Sequence, residues 1–214
     1  VQFSRELARD EEWGFIGAMA ENLGASYLQT LESQGSDLFN DAFAGATYKS
    51  EDNLSICNGA HLNAAGGNSQ DNSDTQSLTM AGVKASRIAM RKMLDYRGVS
   101  KLALRPDTLL VPVDLEEAAW EIARSSGRPD TTNRAENMYS GMFNVLVWPE
   151  LSDTNAWFMI DSNNMKRNLM YLFRDPLEIF GDGDLVRGTR TIGAYFRSSH
   201  GAIGWSWLYG NNPS

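Results

Sequence analysis

From Trp13 to Leu31 apolar side chains recur at spacings of three and four: Trp13, Ile16, Ala20, Leu23, Tyr27 and Leu31. At 3.6 residues per turn these positions form one face of a helix. Acidic residues at 10–12 suit its N-terminus, where free N–H groups carry partial positive charge. The pattern extends through Leu38 and Phe39 to Phe43, so a continuous helix from Asp10 would be about 50 Å long at ~1.5 Å per residue. Few domains that a 214-residue chain can build cover such a helix along its whole length. Gly14, Gly17, Gly24 and Gly35 each weaken it by up to ~1 kcal/mol relative to Ala. The helix therefore needs lateral neighbours, and Ile16, Ala20, Leu23, Tyr27 and Leu31 are its expected packing face.

The rest of the chain mixes short helices with strands. Val1, Phe3 and Leu7 suggest a strand before the helix. Residues 58–77 are rich in Asn, Gly, Ser and Asp, and the stretch 63–75 reads as a mobile loop. Thr79 is placed to cap a helix running to about Leu94. Leu109-Leu110-Val111 reads as a short buried strand stopped by Pro112. Asp114-Leu115-Glu116-Glu117 has the form of a capping box that opens a helix through Leu115, Ala119 and Ile122. Strands follow: Phe143-Val145-Val147 and Ala156-Phe158-Ile160 alternate with period two. Extended stretches at 169–173 and 184–198 flank a turn at Gly181-Asp182-Gly183. Trp205, Trp207 and Tyr209 fall on one face of a last strand. The fold class is α+β.

Composition narrows the chemistry. The net charge of −8 disfavours a tight nucleic-acid binder, which needs a basic surface to neutralise phosphates. No apolar run approaches the ~20 residues of a membrane span. One cysteine, Cys57, excludes an intrachain disulfide, and two histidines, His61 and His200, leave few metal ligands. Cys57 and His61, four apart, are the one nucleophile–base pair worth testing; no oxyanion-forming glycine motif surrounds them. Glu178, Asp182 and Asp184 lack the twelve-residue spacing of a calcium loop and read as a solvated turn. No catalytic, cofactor-binding or metal site is assigned, and no cofactor is expected. The aromatic group Trp205, Trp207 and Tyr209 reads as core of the sheet rather than as a sugar-stacking platform.

Several stretches, in order, resemble the major capsid proteins of tailed phages, of the Hong Kong 97 type, in the group often fused to or encoded beside a prohead protease. They are Phe3-Ser4-Arg5-Glu6 with Asp10, Ile56-Cys57 to His61-Leu62-Asn63, Leu78 to Met93 with its run Ala89-Met90-Arg91, Leu104-Arg105-Pro106 followed by Leu109 to Pro112 and Leu115-Glu116, Ala156-Trp157-Phe158, and Arg197 with Gly201-Ala202, Trp205, Tyr209 and Asn212-Pro213. Gly204, where the family has an acidic residue, and Trp207, where it has a small one, depart from the pattern. The resemblance implies a peripheral strand and spine helix over 1–44, an axial domain over 45–165, peripheral strands over 166–199 and a final axial strand over 200–214. The family's N-terminal arm and extended loop would lie upstream of Val1. It implies pentamers and hexamers of the chain itself, closed into an icosahedral shell around double-stranded DNA that is held only weakly. A scaffold or prohead protease, a portal and a decoration protein are the implied partners. Assembly would take place in the bacterial host cytoplasm, away from membranes. Two readings of other classes stay open: a decoration or portal-proximal phage protein, and a hydrolase using Cys57 and His61.

Overall fold

Two apolar runs without alternation, Leu109-Leu110-Val111 and Trp157-Phe158-Met159-Ile160, have the pattern of strands covered on both faces. In the computed structural model both are strands of one sheet. The structure describes residues 1–10, 14–62, 69–127, 136–184 and 186–213; the side chains of Arg5, Ala8, Phe15, Ile16 and Ala20 also lie outside that description. In chain order the elements are β1 (Gln2–Ser4), α1 (Arg5–Asp10), α2 (Phe15–Asn40), β2 (Ser73–Asp74), α3 (Met80–Lys92), β3 (Thr108–Val111), a 3-10 turn (Val113–Leu115), α4 (Glu116–Arg124), β4 (Asn144–Val147), β5 (Trp157–Ile160), α5 (Ser162–Asn168), β6 (Leu169–Asp184), β7 (Thr189–Ala202) and β8 (Leu208–Asn211). They divide into two compact units, Val1–Gly35 with Tyr171–His200, and Ser36–Met170 with Gly201–Ser214.

The second unit holds a five-stranded sheet of order β2-β8-β5-β3-β4. β5 lies antiparallel to both β8 and β3, while β3 runs parallel to β4 and β2 parallel to β8. A parallel neighbour needs a crossover, and α4 lies on the one between β3 and β4. Successive strand residues point to opposite faces, and the core separates accordingly. Leu109, Val111, Trp157, Met159 and Tyr209 pack with α3 and α4 residues such as Val83, Met90, Ala119 and Ile122. Leu110, Phe158, Ile160 and Leu208 pack with Leu38 and Phe39 at the end of α2 and Ala42 just after it, with Ile56, Cys57 and Trp207. All four residues of β5 and all four of β8 are buried. Fully burying a side chain of this size contributes roughly 1.5–3 kcal/mol, so these two strands carry a large share of the unit's stability.

In the first unit β1, β7 and β6 form a three-stranded sheet in that order. Only four residues join β6 to β7, too few for a crossover, so the two form an antiparallel hairpin. α2 packs Tyr27 edge-on against Phe196, with ring centroids 4.7 Å apart. Gln34 Oε1 accepts hydrogen bonds from Tyr171 Oη at 2.9 Å and Ser198 Oγ at 3.0 Å.

Several expectations need correction. The helix does not run unbroken from Asp10 to Phe43. Gly14 adopts φ +67°, a left-handed conformation, and α2 ends at Asn40, so its 26 residues span roughly 39 Å. Arg5–Asp10 is helical, and the first strand stops at Ser4. Gly181-Asp182-Gly183 lies within β6; the turn comes later, where Asp184 Oδ1 accepts from Val186 N and Arg187 N and Gly188 takes φ +64°. Asp114 caps nothing in α4, whose N-cap position is Leu115 at the end of a 3-10 turn. Thr79 does cap α3, accepting from Gly82 N at 3.1 Å. α5 follows a cap that composition did not signal: Asp161 Oδ1 accepts from Asn163 N and Asn164 N. Of the stretch expected to be a mobile loop, residues 63–68 lie outside the described residues, while Asn72 is wholly buried and Ser73–Asp74 pair with β8.

Gly210 shows how closely the sheet packs. A Cβ there would stand 2.5 Å from Cys57 Sγ and 2.8 Å from Phe43 Cζ. Gly210→Ala is expected to destabilise the chain by about 1–3 kcal/mol, the usual cost of overpacking. Chemical denaturation measures this, and an unchanged midpoint would contradict the packing described.

Candidate functional site

The polar groups most deeply placed in the second unit gather where the segment 52–61 and Asn72 meet residues 205–211. A buried amide must find partners, and Asn72 finds several. Its Nδ2 donates to Ile56 O at 2.8 Å and Leu208 O at 3.2 Å, and its Oδ1 accepts from Asn58 N at 2.8 Å. Its carbonyl accepts from Gly210 N at 2.9 Å. One residue thus fastens three separate stretches of chain. Sequence reading missed it because an Asn in an Asn-rich stretch carries no local mark of burial.

His61 is also fully buried, with its ring stacked on Trp205 at 4.2 Å and 3°. Nδ1 lies 2.6 Å from Asp52 Oδ2, and Nε2 lies 3.2 Å from Ile56 O. Both ring nitrogens are therefore engaged, and neither is directed at Cys57. Burial pushes the Cys57 thiol well above its ordinary value, opposed in part by the Gly210 N–H and helped to a lesser degree by the Asp71 charge. A thiol so placed does not ionise near neutrality, and ionisation is what makes a cysteine nucleophilic. The residues suggested by the Cys57–His61 spacing are near one another in the fold, but they do not form a nucleophile–base pair. Cys57 instead fills space beside Gly210.

The aromatic group is divided. Trp205, Trp207 and Tyr209 are all buried, but only Tyr209 lies in a strand. Trp205 and Trp207 occupy the turn before β8, where Trp207 Nε1 donates to Gly204 O at 2.7 Å. Trp205 and Tyr209 join the core on the α3–α4 side, and Trp207 joins the opposite one. The period-two pattern failed because a turn, unlike a strand, does not alternate. Gly204, the departure from the family pattern, faces Asn168: a Cβ there would lie 2.8 Å from Asn168 Oδ1. Of the helix face, Leu23, Tyr27 and Leu31 are half-buried, and the side chains of Ile16 and Ala20 lie outside the described residues.

Among the described residues no three His, Cys, Asp or Glu side chains converge as metal ligands. No described helix is long and apolar enough to cross a membrane. The buried polar groups of this site hold chain segments together. A family model described as phage capsid protein matches residues 1–209, and the chain belongs to that family. It is a capsid shell protein, located in the virion, and its α+β fold is of the Hong Kong 97 type. Among solved structures, a chain from the capsid of an empty GTA particle, computed with C5 symmetry, is similar with a TM-score of 0.56 at 11% identity, over 97% of this chain and 69% of that one. A chain of Mycobacterium phage Ogopogo gives a TM-score of 0.46 at 13% identity, over 100% of this chain and 73% of that one. No curated protein sequence matches the chain.

The Asp52–His61 pair has a defined pH dependence. Burial raises the Asp52 pKa, but hydrogen bonds from Ser50 and His61, the His61 charge and the Leu54 N–H together hold it below its ordinary 3.8. A carboxyl lowered on folding stabilises the native state above its ordinary value and loses that contribution as pH falls through the folded value. A hydrogen bond to a charged group contributes about 1.5–3 kcal/mol. His61→Ala should therefore cost about that much at pH 7, and the gap to wild type should narrow at pH 3. Urea denaturation at both values tests this; no cost at pH 7 would contradict it.

Proposed function

We propose that the chain is the major shell subunit of a tailed-phage head, arranged as pentamers and hexamers and closed into an icosahedral container for double-stranded DNA. The observation that carries this reading is the capsid family match over residues 1–209. The division into two units supports assigning Ser36–Met170 with Gly201–Ser214 to the axial domain around the capsomer axes. Val1–Gly35 with Tyr171–His200 then becomes the peripheral domain, with α2 as its spine. On this reading Leu23, Tyr27 and Leu31, with Ile16 and Ala20, form the packing face of that spine. Large apolar side chains exposed in the first unit, including Leu172, Phe173, Ile179, Phe180 and Tyr195, fit a surface meant for neighbouring subunits.

A scaffold or prohead protease would guide assembly in the host cytoplasm, a portal would occupy one vertex, and a decoration protein would bind the outside. The acidic surface suits a wall that packaged DNA touches only weakly. Electron microscopy of the expressed full-length protein tests the reading. Closed shells built on five-fold and six-fold clusters are expected. Isolated trimers that bind only a preformed shell would instead indicate a decoration protein.

A further inference from the structure

Against a net charge of −8, five of the chain's 19 Lys and Arg residues gather on one side of the second unit. Arg87, Arg91 and Lys92 on α3, with Lys101 and Arg105 from the following loop, line an open depression of about 470 Å³. Among the described residues none of the five pairs with a carboxylate; the ion pairs present are His61–Asp52 and Arg187–Asp184. Arg87 lies over the Tyr139 ring at 5.8 Å, and five cations around one depression with no paired carboxylate among the described residues favour an anionic partner. Ile88, Val99 and Leu102, all exposed, add apolar area beside them.

The same unit carries the complementary surface. Asp114, Glu116, Glu117 and Glu121 are all exposed on α4 and the turn before it, alongside exposed Val113 and Trp120. The two patches belong to different parts of the sheet. α3 is tied to β8 by Ser86 Oγ, which donates to Asn211 Oδ1 at 3.1 Å, whereas α4 packs on β3 and β4. In the order β2-β8-β5-β3-β4 these lie on either side of β5.

We propose that the basic depression of one copy receives the acidic α4 edge of the next. Charge complementarity favours a second copy as the occupant. Apart from these five cations the chain carries 14 basic against 27 acidic residues, and an exposed acidic edge with apolar flanks complements a basic depression with apolar flanks. Two different patches on one chain make a head-to-tail contact, and such contacts close into rings when the rotation between successive copies closes. The inference rests on the shell reading and names the contact within each capsomer.

Charge reversal in the full-length protein tests it. Arg91→Glu/Lys101→Glu and Glu117→Lys/Glu121→Lys should each keep the wild-type circular dichroism spectrum but cut the yield of closed shells at least tenfold, leaving small species on sedimentation. Combining all four changes in one chain, which restores opposite charges at every contact of a five- or six-membered ring, should restore assembly. If reversal unfolds the chain, Arg91→Gln/Lys101→Gln should give the same assembly defect with the fold kept. Wild-type yields from either reversed variant, or no restoration in the chain that combines all four changes, would overturn the contact. Arg91→Glu/Lys101→Glu shells that form normally but no longer retain duplex DNA would also overturn it, assigning the depression to phosphates. Wild-type protein that forms no shell at all would overturn the shell reading, and the contact with it.

Discussion

Everything in the second unit depends on β8 lying inside the sheet rather than at its edge. Leu208 to Asn211 pair with β5 on one side, and Ser73–Asp74 pair with Gly210 and Asn211 on the other. All four residues of β8 are buried. An interior strand allows no slack: its backbone groups must be paired on both sides and its side chains must fit on both faces. Gly210 is glycine because Cys57 and Phe43 fill the space that a side chain would take. Asn72 is buried because its amide links the 56–58 segment to the strand. His61 stacks on Trp205 just before it. The residues most suggestive of chemistry in this sequence are thus the ones that seat a strand.

The parts of the fold legible in the sequence were those decided locally. α3 follows from its Thr79 cap and its apolar spacing, and β3 from a short apolar run ended by Pro112. The errors arose where distant contacts override local pattern. Trp205 and Trp207 mimic strand alternation but lie in a turn that delivers one indole to each face of the sheet. An Asn- and Gly-rich stretch reads as loop, yet Asn72 and β2 are held by partners more than 130 residues away. Gly181 and Gly183 look like turn residues, yet β6 runs through both. α5 was invisible because a polar helix capped by Asp161 has no apolar stripe.

The two units use apolar surface differently, and this links fold to function. In the second unit large apolar residues fill both sides of a sheet. In the first, a sheet of only three strands leaves much of its apolar surface open. A hairpin alone is marginal, and this one gains stability from its third strand and from α2. A shell subunit fits this division: one unit fills both faces of its sheet, and the other leaves apolar surface exposed.

Hydrogen exchange on the unassembled subunit measures that division most directly. Amides of Phe158, Met159, Tyr209 and Gly210 should exchange only on global unfolding, while amides along β6 and β7 beyond Phe173 should exchange faster through local opening. Uniform protection across both sheets, or faster exchange in β8 than in β6, would contradict the account.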